Sequence, residues 1–223
     1  MPMATFPWVA VIGRGRVGAA FAARLAERGA LSDLPGADVV LLCVPDRAIA
    51  DVARGVAPGP WVGHVSGATP LSALDPHTRR FSLHPLQTFT KARGAEQIDG
   101  AWAATTGDTD EARRIAQALA ATLGLRPFIL DDARRALYHA GASIASNFLV
   151  TLHRAAARAV EAAGAPVDAL TPLMTRTIEN NFDLTGPIAR GDTATVDAHL
   201  AAIRAELPDL EPLYRILAEA TRR

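Results

Sequence analysis

"VAVIGRGRVGAAFAARLAERGALSDLPGADVVLLCVPD", residues 9–46, decides the fold of this 223-residue chain. An apolar run leads straight into Gly13, Gly15 and Gly18 in G-x-G-x-x-G order, and a stretch with helical spacing follows. Each glycine has its own task where a strand turns into a helix beside a phosphate. The first permits the tight turn, the second lets backbone approach a pyrophosphate, and the third lets helix pack on strand. The helix N-terminus then offers its unpaired N–H groups to the phosphates. On this reading Gly13, Arg14, Gly15, Arg16, Val17 and Gly18 hold a dinucleotide, with Val44 and Pro45 at the end of the next strand beside it. Arg14 and Arg16 could reach phosphate; the competing reading makes them solvated surface arginines.

The rest of the stretch breaks the pattern. The fingerprint expects an acidic residue about 20 positions on, closing a second strand and holding the adenosine ribose. Asp38 falls near that distance, yet it precedes "VVLLCV" and so belongs at the wrong end of the sheet. Only "ALSDLPG", residues 30–36, separates the first helix from that strand, too little for a strand–helix–strand excursion. The second and third strands therefore read as deleted, with β-pairing of the first strand confined to "VVLLCV" and cofactor binding weakened. Parallel crossovers are right-handed in about 98% of cases, so a direct link between these neighbours would put helix 16–28 on the face opposite its ancestral one. The small residues of "GRGRVGAAFAARLA" favour the helix keeping its old face, with 30–36 passing beneath the first strand as a rare left-handed unit. A seven-residue extended link spans roughly 23 Å, enough for that passage.

Composition narrows the partners. Lysine plus arginine (23) balance aspartate plus glutamate (23), so no net field favours nucleic acid or anionic lipid. Lys91 is the one lysine, and the alanine and arginine abundance fits a GC-rich genome. Cys43 has no partner for a disulfide and reads as a small buried hydrophobe in a reducing cytoplasm. No apolar run approaches the ~20 residues of a membrane span, and "MPMATFPWVAVIG" lacks a basic region ahead of its apolar stretch. A soluble cytoplasmic protein is expected.

Up to residue 132, "PWVAVIG", "ADVVLLCV", "WVGHVS", "RRFSLHP", "AWAATT" and "RPFIL" read as strands, several apolar on both faces as buried parallel strands are. "VGAAFAARLAERG" and "DEARRIAQALAATLG" read as helices between them. Residues 133–163 then run as one alanine-rich helix. "DALTPLMTRTIENNF", "TATVDAHLAAIRAEL" and "LEPLYRILAEATRR" supply three more, with "DLTGPIARGD" a non-helical insert. The expected class is α/β: a truncated Rossmann-type parallel sheet, 1–132, followed by an all-α helical domain, 133–223.

"GRGRVG", "ADVVLLCVPDRAI", "HVSGATPLSAL", "FSLHPLQTF", "RALYHAGASIASNFLVTLHRAA", "LTGPIARGD" and "YRILAEAT" together resemble the Rossmann-like oxidoreductase family that carries domain of unknown function 2520. That family is similar in build to ketopantoate reductase, pyrroline-5-carboxylate reductase and 6-phosphogluconate dehydrogenase. The resemblance covers nearly the whole chain and implies an NADP- or NAD-linked reductase of a small oxo or imino acid, with a ketopantoate-like substrate possible.

A reductase of this build needs a proton donor on the first long helix after the sheet. The 6-phosphogluconate dehydrogenase relatives use a lysine there, with an asparagine one turn later. Here the helix reads "LYHAGASIASN", placing His139, Ser143 and Ser146 or Asn147 on one face at i, i+4, i+8. Histidine can give or take a proton near neutrality; the plainer reading is a helix-packing stripe. Ser66, in "SGATP" at a strand end, and His84 and Gln87, in "SLHPLQTF", are candidate substrate contacts, with Pro85 fixing a turn. His84 reads equally as a hydrogen-bonded strand-end histidine. Arg190 in "TGPIARGD" suits a substrate carboxylate, or else an ion pair with Asp192 at a helix start. His64, His84 and His139 lack metal-ligand spacing, so no metal is expected. Asn180 and Asn181 read as helix C-cap groups. Two other functions compete: a non-redox isomerase or lyase using the same cleft for proton transfer, and a cofactor-free binding protein. Apolar Phe148, Leu149 and Leu152 need cover, which favours a homodimer through the helical half.

Overall fold

The computed structural model describes residues 8–222. Residues 1–7, which hold most of the stretch read for a leader and the start of the first strand segment, and residue 223 lie outside the described residues.

Two compact units emerge, dividing between Ser143 and Ile144; the change of sequence character falls earlier, at 132. The first unit is a six-stranded sheet in the order β1 (Val9–Ile12), β2 (Val39–Leu42), β3 (Trp61–His64), β4 (Arg80–Leu86), β5 (Trp102–Thr106), β6 (Arg126–Ile129). All six coincide with the apolar runs expected as strands. β1 to β4 run parallel, with Val9 opposite Val39 and Val39 opposite Trp61. The sheet is parallel apart from one pair: β5 lies antiparallel to β4, His84 facing Ala104, and β6 then runs parallel to β5. The residues between β4 and β5 (87–101) hold a short 3-10 turn, Ala95–Ile98, and no crossover helix. An antiparallel return needs none.

Helices α1 (Arg16–Glu27) and α3 (Asp110–Leu123) cover one face. Phe21 and Leu25 of α1 pack with Ala116, Leu119 and Leu123 of α3 over Val9, Leu41 and Phe81. The short α2 (Ile49–Arg54), absent from the sequence reading, covers the other face, where Ile49 and Ala53 join Leu71 and Leu74 over Val40, Leu42 and Val62. α1 and α2 thus lie on opposite faces while β1, β2 and β3 advance in one direction.

The outer side of β1 resolves the resulting handedness conflict and corrects the expectation that β1 pairs with β2 alone. Leu31 forms a single parallel bridge to Val9: Val9 N–H donates to Ala30 O and Ser32 N–H to Val9 O, both at 2.9 Å. One bridged residue thus pairs outside β1. The chain therefore leaves β1, descends through α1 and reaches the outer side of β1 at its start, a right-handed arrangement. It then runs along the N-terminal edge of the sheet to start β2. No strand–helix excursion follows the bridge among the described residues. Asp38 sits at that lower edge, its carboxylate accepting from Trp8 N–H at 2.9 Å, as its place ahead of β2 implied.

The second unit holds α5 (Leu149–Ala162), α6 (Leu170–Glu179), α7 (Thr193–Glu206) and α8 (Glu211–Thr221). The expected single helix 133–163 is helical but changes type: a 3-10 turn (Asp132–Arg134), α4 (Arg135–Ser143), a π-helical turn (Ile144–Phe148), then α5. Leu170, Val196, Leu200 and Ala218 are buried. An apolar cavity of about 560 Å³ opens among Leu152, Ala156, Met174, Ile203 and Leu213. No helix among the described residues is long and apolar enough to cross a membrane.

Candidate active site

The glycine turn caps the C-terminal edge of the parallel strands, where open α/β sheets present their binding crevice. Gly13 adopts φ +107°, and a Cβ there would stand 2.3 Å from Cys43 O. A Cβ on Gly18 would meet Gly13 O at 2.1 Å and Cys43 Cβ at 2.9 Å. These two glycines press α1 against β1 and β2. Gly15 differs: it is the N-cap of α1, exposed, and nothing lies within 4 Å of where its Cβ would be. Arg14 and Arg16 are exposed on either side of it, with Arg16 Nη1 3.5 Å from Phe89 O. Val17 and Val44 are half-buried and Pro45 exposed. Cys43, behind the turn, is buried, and burial pushes its thiol up to about 12; it is inert packing, as expected.

Two strands along, the turn after β3 is held by its own side chains. Ser66 Oγ bonds Asp46 Oδ2 (2.8 Å) and Thr69 Oγ1 (2.9 Å) and accepts from the Ala68 and Thr69 amides. Its backbone N–H donates to His64 Nδ1 at 3.2 Å. His64 is wholly buried, and desolvation, with the nearby Arg135 cation, lowers its pKa to about 3. The Ser66 hydroxyl is thus committed to holding the turn that shapes the rim.

His84 lies in β4, with Pro85 inside the strand and not in a turn. Its Nδ1 is 2.8 Å from the Tyr138 hydroxyl, and its ring stands 6.0 Å from that of His139. Gly67 fits between the two imidazoles: a Cβ on it would fall 2.8 Å from His84 Nε2 and 2.7 Å from His139 Cδ2. Desolvation, then the His139 and Arg135 charges, lower His84 to about 4. α4 is fastened over this point by Arg135, 1% exposed, whose Nε donates to Asp132 Oδ1 (2.7 Å) and Nη1 to Ser66 O (3.1 Å). Asp132 in turn accepts from Leu71 N–H at 3.1 Å. The result is a water-accessible pair of histidines on a rigid strand and a pinned helix, at the sheet edge that carries the glycine turn.

The structure brings His84 and His139 together and sets Ser66 behind them. Gln87 turns elsewhere: its amide donates to Gln97 O (3.2 Å) and accepts from Thr88 N–H (2.8 Å). Ser143 is the half-buried last residue of the first unit, whereas Asn147 is exposed in the π turn of the second. The i, i+4, i+8 spacing assumed 3.6 residues per turn, which a π turn does not keep. Arg190 is exposed in the second unit, its backbone N–H bonded to Gly186 O, while Asp192 caps α7 through Thr195 N–H. Asn180 is the C-cap of α6. No cluster of three His, Cys, Asp or Glu fit for a metal occurs among the described residues. Sequence reasoning missed Asp46, Arg135 and Tyr138. Asp132 and Arg135 are three apart at a helix start, a signal that could have been read; the Tyr138–His84 contact spans 54 residues and left none.

A family model described as domain of unknown function (DUF2520) matches residues 101–221. Among solved structures, the chain is similar to a candidate NADP oxidoreductase from Bacteroides fragilis, with TM-score 0.79 and 22% identity over 97% of this chain and 98% of that one. It is also similar to a Thermotoga maritima protein, with TM-score 0.71 and 23% identity over 96% and 100%. A reductive aminase from Aspergillus terreus in complex with NADPH and ethyl-5-oxohexanoate gives TM-score 0.64 and 19% identity over 98% and 96%. At these identities the likeness is one of fold. No curated protein matches in sequence.

Proposed function

This chain belongs to the DUF2520 family, and from that premise we propose that it is a reductase of a small oxo or imino acid, of the ketopantoate-reductase kind, using NADP in preference to NAD. One observation carries the reading: the glycine turn and the His84–His139 pair occupy the same edge of one sheet. The residues fit the cofactor's pyrophosphate. Gly15 leaves open space where any side chain would intrude, the first turn of α1 supplies N–H groups, and Arg14 and Arg16 supply charge. Val17, Val44 and Pro45 line the same turn. A nicotinamide held there supplies the hydride. This chain's part is the proton and the substrate: His139 gives the proton, His84 and the Ser66 turn hold the reacting end, and Arg190 is the cation proposed to serve the acid.

The reduced outer strand bears on affinity. Leu31 bridges only the start of β1 and Asp38 lies at the opposite edge, so the described residues include no strand outside β1 whose far end could carry an acid to an adenosine ribose. Loss of a few hydrogen bonds at about 1 kcal/mol each lowers affinity by one to three decades. The test is calorimetric titration of the purified protein with NADPH and NADH. Micromolar or weaker binding with NADPH ahead supports the reading, and submicromolar binding refutes the weakening. No binding of either cofactor at millimolar concentration overturns the reductase and favours proton-transfer chemistry in the same cleft.

The family resemblance and the buried, unpaired thiol suit a cytoplasmic enzyme. Exposed Phe148, Leu149 and Leu152 of the helical unit support a homodimer through that half.

A further inference from the structure

His84 Nδ1 and the Tyr138 hydroxyl share one hydrogen bond of 2.8 Å, and one of the two must supply its proton. Tyr138 is also held edge-on against Phe128 at 5.9 Å, independently of its edge-on contact with His84 at 5.5 Å. Burial pushes its phenol up to about 12, so it keeps its proton throughout the neutral range. A phenol proton bonding an imidazole lone pair is the stronger of the two pairings, because phenol oxygen has its lone-pair density drawn into the ring. The remaining proton of a neutral imidazole then resides on the opposite nitrogen. That nitrogen, Nε2, is the one that stands with His139 about Gly67.

We propose that Tyr138 is a positioning residue: it locks His84 as the Nε2–H tautomer, so that His84 presents a fixed N–H donor to the oxygen or nitrogen of a carbonyl or imine while His139 handles the proton. The acceptor's identity rests on the reductase reading above; the tautomer does not. The charged and titratable groups that face His84 are His139 and Arg135 from α4, Asp46 after β2, and His64 from β3. Burial is the largest influence, His139 and Arg135 act with it, and Asp46 opposes them, leaving His84 neutral at neutral pH. Two adjacent imidazoles thereby divide the work. His84 holds a hydrogen bond that does not change with pH near neutrality, and the transferable proton belongs to its neighbour.

The test is long-range proton–nitrogen NMR on the full chain labelled with nitrogen-15 histidine, between pH 6 and 8 and without cofactor, with His84→Gln assigning the resonances. His84 is expected as a single tautomer, protonated at Nε2. Tyr138→Phe keeps the ring against Phe128 and is expected to lower the ratio of Nε2–H to Nδ1–H by roughly five- to tenfold, about what one hydrogen bond supplies. A wild-type His84 protonated at Nδ1, or an unchanged ratio in Tyr138→Phe, overturns the proposal. Should that variant not fold, the wild-type spectrum alone decides. A failed NADPH titration leaves the tautomer standing, and the wrong tautomer leaves the reductase standing.

Discussion

Gly18→Ala and Gly15→Ala add the same methyl group to the same turn, three residues apart, and should do opposite things. At Gly18 the new Cβ lies 2.1 Å from Gly13 O, while ordinary contact begins at 3.4 Å; α1 must recede by the difference, 1.3 Å. Its neighbours are backbone and the Cys43 Cβ, which cannot rotate away. Overpacking of this kind costs about 3 kcal/mol. Alanine returns about 1 kcal/mol of helix propensity at this third position of α1. The net loss is about 2 kcal/mol, or roughly 4–8 °C of melting temperature for a chain of this size. At Gly15 the methyl meets nothing, and the N-cap conformation (φ −68°, ψ −174°) is open to alanine, so stability stays within about 1 kcal/mol. That methyl does occupy the approach of a pyrophosphate, and NADPH binding should weaken at least tenfold. Urea denaturation of both variants and calorimetry on Gly15→Ala give all three numbers. A Gly18→Ala loss below about 1 kcal/mol, or a Gly15→Ala protein less stable than Gly18→Ala, would show that the turn is not packed as described.

Acid should destabilise the first unit early. His64 and His84 have folded pKa values of about 3 and about 4, below the ordinary 6.5. The unfolded chain thus binds more protons between those values, and the stability present above pH 6.5 is lost as pH falls toward 4 and then 3. Urea midpoints at pH 7 and pH 5 measure it, and His64→Asn, which keeps an acceptor but no titrating group, should flatten the slope. His139→Ala and Arg190→Ala should abolish turnover of a small oxo or imino acid while melting within a few degrees of wild type; wild-type rates in either remove that residue from the mechanism. Sedimentation should give a dimer, and Phe148→Asp a monomer at the same concentration; a wild-type monomer at all concentrations refutes the interface.

Local signals carried the strands and α1 into the sequence reading, because each strand is a short apolar run and the glycine spacing has a steric cause visible at Gly13 and Gly18. Strand direction has no such trace: the residues of "AWAATT" are equally buried whichever way β5 runs. α2 is six residues long, too short for a helical period to show. Within the candidate site, His84 and His139 stood out by residue type. Tyr138 and Asp46 did not, since their roles come from partners 54 and 20 residues away. The face shared by His139 and Asn147 was legible only for a uniform helix, and the π turn is not one.

Leu31 has a meaning beyond the sheet it barely touches. The chain visits the outer flank of β1 at Leu31 before it runs to β2, so its backbone already passes the place where a further strand would pair. The segment 32–36 is thus a socket: a strand–helix–strand cassette grafted there would extend an edge whose first rung is already in place, without reversing any crossover. The single bridge at Val9 and Leu31 marks the point at which such a cassette could be added.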